Sequence, residues 1–204
     1  MIYNFVKRII DLMVSSLGLI VLLPLLISIA FIIKWESKGP ILYRGERVGL
    51  NKHLFQIFKF RTMVENAESL GGLVTSKNDT RVTRIGSILR KYKIDEIPQL
   101  FNILRGDMSL VGPRPEVTEF TSLYKKEEEI IFSVKPGLTD FSSIEFVQLG
   151  ETLGNNSNKR FEEEVNKVLR RKIELRIKYV LERSFLVDIR ILIMTVKKLI
   201  SINR

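Results

Sequence analysis

From Leu12 to Ile33 the chain runs 22 residues without a charged side chain. A helix of that length, at about 1.5 Å per residue, is about enough to cross a bilayer core. Residues 1–10 mix apolar and basic positions and start the membrane helix at the interface, where Tyr3, Phe5 and, at the far end, Trp35 suit the headgroup level. Pro24 sits in the middle of the apolar run. It removes one backbone donor and crowds the carbonyl of Ile20. Both flanks are basic, with Lys7 and Arg8 before and Lys34, Lys38, Arg44 and Arg47 after. Positive loops mark the cytoplasmic side, so the pattern predicts a re-entrant hairpin over residues 1–36 that bends back at Pro24. A kinked spanning helix is the alternative the pattern leaves open. A cleaved signal peptide fits poorly, because the run is too long and no small-residue cleavage site follows.

Beyond Gly39-Pro40 the periodicity changes. Residues 41–47 and 53–61 read as two strands joined by a turn around Gly49 to Lys52. In the second strand Phe55, Ile57, Lys59 and Arg61 share one face, and Leu54, Gln56, Phe58 and Phe60 the other. The aromatics either stack a nucleobase or pack both faces of a hairpin. Lys59 and Arg61, at the end of an apolar strand, call for an anionic partner. Helices are predicted over 64–70, 84–92, 95–105, 118–132, 161–183 and 185–202. Ile97, Leu100, Phe101 and Leu104 give the third a buried face, and Gly106 provides its left-handed cap. Residues 75–83 form a polar loop, Pro136-Gly137 opens another, and 150–159 is the most flexible stretch. The triple Glu127-Glu128-Glu129 reads as a solvated face. The last helix is apolar but interrupted by Asp188, Arg190, Lys197 and Lys198, which suits a core or membrane-surface position. The predicted fold class is α+β: a mostly helical single domain over 37–204 with a short β-hairpin, behind the N-terminal re-entrant helix.

Composition narrows the chemistry. The chain has 204 residues, enough for one core without disulfides, and its lack of cysteine excludes thiolate metal sites and thiol catalysis. A single histidine, His53, excludes multi-histidine metal sites and argues against a Ser-His-Asp hydrolase. A formal charge of +10 points to nucleic acid, an anionic membrane surface or phosphorylated substrates. The apolar N-terminal segment favours the last two.

The candidate site is Asp95-Glu96, reading as the start of a helix, with Arg81, Arg84, Arg90, Lys91 and Lys93 crowded before it. Helix-start donors and nearby Arg90 and Lys93 favour an ionised Asp95 carboxylate. Such a group can attack a phosphoryl centre or ligate a divalent cation. An Asp-Glu pair before a helix is also a common capping arrangement. Gly112-Pro113-Arg114-Pro115 adds weight: two prolines lock the backbone around a guanidinium suited to bidentate phosphate binding. Asp107, Lys59, Arg61 and Arg90 are candidates to complete a pyrophosphate site, with Mg²⁺ as its companion. A basic site beside a membrane segment suits a lipid that carries phosphate.

Taken in order, Lys59-Phe60-Arg61-Thr62-Met63, Asp79 to Gly86, Leu89-Arg90, Asp95 to Asn102, Gly106 to Ser109, Val111 to Pro115, Lys135 to Thr139 and Ser184 to Asp188 resemble the monotopic phosphoglycosyl transferases in their minimal catalytic form. The resemblance covers almost the whole chain. It implies transfer of a sugar 1-phosphate from a UDP-sugar to polyprenol (undecaprenyl) phosphate, with release of UMP and with Mg²⁺. It further implies a covalent intermediate on Asp95, Glu96 as partner acid or metal ligand beside Asp95, and phosphate contacts from Arg90 and Arg114. Lys59, Arg61, Pro113 and Pro115 join these as substrate-binding positions. The implied setting is the cytoplasmic face of the bacterial inner membrane, among membrane lipids, with no nucleic acid. The oligomeric state stays open.

Two departures stand out. The helix break is Leu23-Pro24 where the family has Ser-Pro, leaving Ser28 or Ser16 to serve the freed backbone. The family's usual Gly-Trp-Ala-Gln after Pro-Gly-Leu-Thr reads Asp140-Phe141-Ser142-Ser143 here, in a loop that the resemblance puts near the sugar end of the donor.

Overall fold

The structure is a computed structural model, and it describes residues 2–67, 79–146 and 159–202. It begins with one long helix, α1 (Ile2–Glu36), followed by an antiparallel hairpin of β1 (Leu42–Val48) and β2 (Leu54–Phe60). The register pairs Leu42 with Phe60 and Val48 with Leu54. Asn51 and Lys52 take left-handed backbone at the connection. Then come α2 (Arg84–Lys91), a 3-10 turn (Ile94–Glu96), α3 (Gln99–Arg105) and β3 (Ser109–Val111). A short α4 (Thr118–Thr121), a 3-10 segment (Lys126–Ser133), β4 (Gly137–Thr139), α5 (Phe141–Glu145), α6 (Lys159–Glu182) and α7 (Phe185–Ile202) complete the chain.

The α+β class and the hairpin follow the sequence reading, and α2, α6 and α7 lie within a residue or two of their predicted limits. Elsewhere the structure corrects it. The predicted helix over 118–132 divides into α4 and a 3-10 segment. The predicted 95–105 helix divides as well: Lys93 adopts left-handed backbone (φ 57°), so Asp95 lies inside a separate 3-10 turn, while Pro98 precedes α3. Phe101 is exposed, and Gln99 and Asn102 join Leu100 and Ile103 on the buried face. Gly106 does cap α3, at φ 95°. Residues 65–67 form a turn, and the rest of the predicted 64–70 helix lies outside the described residues, as do 75–78 and 150–158. Pro136-Gly137 leads into β4, which pairs in parallel with β3 through Ser109–Gly137 and Val111–Thr139. A three-residue strand leaves no periodicity to read. Its backbone approach demands glycine: a Cβ on Gly137 would strike the backbone of Gly112.

The core draws on all of these pieces. Leu19, Leu26, Ile29 and Ile33 of α1 pack in one cluster with Ile57, Phe60, Leu89, Leu100, Ile103, Met108, Tyr179 and Ile191. Buried side chains at this density are worth roughly 1.5–3 kcal/mol each. The other side of α1 is bare and apolar, with Leu17, Ile20, Val21, Phe31 and Trp35 exposed. Among the described residues α1 is the one helix long and apolar enough to cross a membrane. Its exposed apolar side marks the chain as membrane-associated.

Pro24 does not divide α1 into two arms, since the helix is continuous from Ile2 to Glu36. Ser28 Oγ donates to the Pro24 carbonyl at 2.9 Å, a back-bond of the kind that bends helices. Both ends of α1 are tied to the same body. Arg8 donates to the carbonyls of Ile103 (2.6 Å) and Leu104 (2.9 Å), and Asp11 accepts from the Leu110 N–H at 3.0 Å. At the other end the Glu36 carboxylate accepts from the N–H groups of Arg84 and Ile85 (2.9 and 3.1 Å), capping α2. Arg61 donates to the carbonyls of Ser37 (2.8 Å) and Lys38 (2.6 Å).

Candidate active site

Asp95 and Glu96 occupy one turn, held between the left-handed Lys93 and the start of α3. Left-handed backbone at a lysine is sparsely populated, and such strain persists where the surroundings enforce it. The two carboxylates meet opposite surroundings. Glu96 is caged by cations. Lys59 Nζ donates to its Oε1 at 2.8 Å, and Arg114 grips it with a two-pronged fork, Nη1 to Oε2 at 3.0 Å and Nη2 to Oε1. Burial works to raise the Glu96 pKa, but the charges and hydrogen bonds of Arg114 and Lys59 outweigh it and hold the group well below the usual carboxylate range. The same pairing raises the Arg114 pKa. Glu96 is therefore held ionised as the acceptor of both cations.

Asp95 is 7% exposed, and its Oδ1 is buried without a hydrogen-bond partner. Burial, then the neighbouring Glu96 charge, raises its pKa against the pull of Lys59, Lys93 and Arg90. The sequence expectation of a helix-stabilised, low-pKa Asp95 is thus reversed. The cause is that the turn buries it and the cations spend themselves on Glu96. An orphaned buried acceptor costs about 1–3 kcal/mol. Such a group at a site is a candidate for reaction.

Arg90 supplies the third cation. Its Nε donates to Thr62 Oγ1 at 2.8 Å, and burial depresses its pKa while Asp95 raises it. Lys59, Arg90, Arg114, Asp95 and Glu96 thus come together from β2, α2, the 3-10 turn and the Gly112–Pro115 turn. The structure does not bring Arg61 with them. Its guanidinium is committed to Ser37 and Lys38 at the end of α1. Asp107 sits past the far end of α3 from Asp95, near Asn102 Nδ2 (3.3 Å) and Arg105 (3.6 Å). Pro113 and Pro115 are buried, and the Pro113 carbonyl accepts from the Gly137 N–H at 3.0 Å. They shape the Arg114 turn, and both line a small cavity beside it with Arg114 and Glu116. Of the aromatics weighed for base stacking, Phe60 is buried and Phe58 lies between the guanidiniums of Arg44 and Arg105, each 5.6 Å from its ring.

Several contributors were missed from sequence. Asn102, fully buried, ties α3 to β2 by accepting from the Phe58 N–H (2.9 Å) and donating to the Gln56 carbonyl (2.7 Å). Thr62 seats Arg90. Asp140 accepts from the Arg114 N–H at 3.1 Å. Asn102 had a signal in its place within the Asp95-to-Asn102 run; Asp140 had one in its departure from the family pattern. Among the described residues no group of three or more Asp, Glu or His side chains could hold a metal ion.

The family model described as bacterial sugar transferase matches residues 2–202. The chain belongs to that family. The chain is 40% identical over 146 residues to the UDP-N-acetylgalactosamine-undecaprenyl-phosphate N-acetylgalactosaminephosphotransferase of Aeromonas hydrophila, covering 70% of the chain and 34% of the relative. It is 39% identical over 199 residues to the undecaprenyl-phosphate glucose phosphotransferase of Komagataeibacter xylinus, covering 94% of the chain and 35% of the relative. The UDP-glucose:undecaprenyl-phosphate glucose-1-phosphate transferase of Caulobacter vibrioides is 37% identical over 198 residues, 96% of the chain and 70% of the relative. The chain therefore spans about a third of the length of these first two relatives.

Proposed function

We propose that the chain transfers a sugar 1-phosphate from a UDP-sugar to polyprenol (undecaprenyl) phosphate at the membrane, the first membrane step of glycoconjugate assembly. In the first half-reaction the Asp95 carboxylate attacks the sugar-bearing phosphorus. An Asp95–phosphorus bond forms, the diphosphate P–O bond breaks, and the electron pair leaves with UMP. In the second, a phosphate oxygen of the polyprenol phosphate attacks that phosphorus, releasing Asp95 and forming a polyprenol diphosphate sugar. Arg114, Lys59 and Arg90 neutralise the phosphate oxygens as charge shifts to the leaving group. The observation that carries this reading is the buried, unpaired Oδ1 of Asp95 beside a carboxylate whose cations are already in place.

Mg²⁺ is the cation this reading implies. Asp95 would offer it one carboxylate oxygen while the other attacks, whereas both oxygens of Glu96 already take Lys59 or Arg114. Mg²⁺ commonly uses one or two protein carboxylates plus substrate phosphates, so Asp95 together with the donor is a sufficient set. When bound it adds positive charge against the diphosphate.

The bond pattern of α1 supports the re-entrant arrangement. Arg8 and Asp11 at one end and Glu36 to Lys38 at the other all bond to one body, as both ends lying on one membrane face requires. The reading it supports is a monotopic protein with its site on the cytoplasmic face of a bacterial inner membrane. Single cysteines at Asn4 and Lys38 test it: both react from the cytoplasmic side, and labelling from opposite sides overturns the topology.

For the reaction, membranes carrying the protein are incubated with a panel of UDP-sugars and polyprenol phosphate. UMP release identifies the donor, and a donor alone, without acceptor, gives one equivalent of UMP and a phosphosugar adduct on Asp95. UMP release from Asp95→Asn at near wild-type rate overturns the assignment of the nucleophile.

A further inference from the structure

The Asp140-Phe141-Ser142-Ser143 segment, expected near the sugar, turns its polar atoms inward. Asp140 is fully buried. Its Oδ1 accepts from the Ser143 N–H at 2.6 Å, Ser143 Oγ at 2.7 Å and Ser142 Oγ at 2.8 Å. Its Oδ2 accepts from Ser142 Oγ at 2.9 Å and the Arg114 N–H at 3.1 Å, and lies 3.8 Å from Arg176 Nε. Arg176 reaches in from α6 and is 1% exposed. It donates to Glu116 Oε1 at 2.6 Å and to Tyr124 OH at 2.9 Å. Glu116 stands two residues beyond Arg114, and its carbonyl accepts from the Val48 N–H at 3.0 Å. Both sides of Arg114 are therefore tied down by one buried charge network.

We propose that Asp140 is a positioning residue for Arg114, with Arg176 as its counter-charge. The carboxylate fixes the Arg114 backbone, and a fixed backbone lets the guanidinium keep its fork on Glu96 and its face toward the donor phosphates. The chain from the phosphate site to α6 runs Glu96, Arg114, Asp140, Arg176, Glu116. Asp140 and Arg176 are buried and form an ion pair, Glu96, Arg114 and Glu116 are half-buried, and each member is hydrogen-bonded, the condition under which charges hold a geometry. The segment then acts on phosphate transfer alike for every donor and does not select the sugar. This inference rests on the reaction proposed above, because displacement of a charged clamp by about 1 Å lowers turnover by about 100-fold only where the clamp serves the transition state.

The test uses the full-length protein in membranes or detergent. Asp140→Asn keeps the size and the Ser143 acceptor but replaces the acceptor of the Arg114 N–H and leaves Arg176 only Glu116 as counter-charge, and Arg176→Lys keeps the charge without the fork. Measured for each are kcat and KM for UMP release with two UDP-sugars that the wild type uses, together with Tm. The expected result is a kcat about 10- to 100-fold lower for both donors in Asp140→Asn, a smaller loss in Arg176→Lys, and an unchanged ratio of kcat/KM between donors. A changed ratio means the segment reads the sugar and overturns the inference. So does a lower Tm with kcat intact. The solved structure of Asp140→Asn gives a reading independent of substrate: the Arg114 fork leaves Glu96, and a fork still seated overturns the proposal. Failure of the wild type to release UMP from any UDP-sugar instead sinks the proposed reaction.

Discussion

Glu96 and Asp95 are adjacent in one turn, yet one is saturated and the other is bare. Two cations from two separate elements converge on Glu96, while Asp95 is buried with an oxygen that bonds nothing. The difference teaches that a basic neighbourhood is not shared equally among the acids within it. Direction decides: Lys59 arrives along β2 and Arg114 from its locked turn, and both meet Glu96. Glu96 becomes part of the scaffold, an anionic post that holds two cations in place for phosphate. Asp95 keeps its chemistry because nothing has used it.

Breaking that contrast at Asp95 has the largest effect. Asp95→Asn lowers turnover by about 1,000-fold or more and abolishes the covalent adduct, read by UMP release and intact-protein mass. Next comes Arg114→Lys, which keeps a charge but loses the two-pronged grip. A loss of about 100-fold in kcat is expected, with Lys59→Met nearer 10-fold, both from initial rates.

The contrast also has opposite signs in stability. The raised pKa of Asp95 means that its contribution is present in acid and is lost as pH rises through the raised value. The lowered pKa of Glu96 means the reverse: its contribution is present above the ordinary carboxylate range and is lost as pH falls. Near pH 7, Asp95→Asn is therefore expected to stabilise by about 1 kcal/mol and Glu96→Gln to destabilise by about 3 kcal/mol. The Asp95→Asn difference shrinks toward pH 4, whereas the Glu96→Gln difference largely persists there and fades only as pH falls further, as thermal melts across that range would record. Equal signs for the two variants would break the contrast. The smallest effect lies away from the site: Glu36→Ala removes the acceptor that caps α2 and costs about 1 kcal/mol, with turnover little changed.

The sequence carried the long elements well. Twenty-two uncharged residues can hardly be anything but an apolar helix, and the turn residues Gly49 to Lys52 between two short runs mark a hairpin. It carried the identity of Asp95, Glu96, Arg90, Arg114 and Lys59 through the order of their surrounding residues. It did not carry which cation meets which acid, because that depends on left-handed backbone at Lys93 and on where two distant strands end. Arg61 shows the limit best. It lies two residues beyond Lys59, with the same charge and on the same predicted face, yet it serves the end of α1. Nothing local distinguishes a cation that binds substrate from one that binds a helix terminus. Asp140 and Arg176 were illegible for a related reason: their pairing spans 36 residues and is set by α6 packing over α5.

The double tether of α1 bears on how the protein can be handled. Residues 1–38 contribute Leu19, Leu26, Ile29 and Ile33 to the main core, cap α2 through Glu36 and receive Arg61 at the Ser37 and Lys38 carbonyls. A chain cut at Gly39 would lose all of these at once, exposing core residues and stranding a buried guanidinium. The membrane segment is thus no removable anchor. Trimming it to obtain a water-soluble catalyst should give aggregated, inactive material, and intact protein in detergent or nanodiscs is the preparation in which this site can be studied.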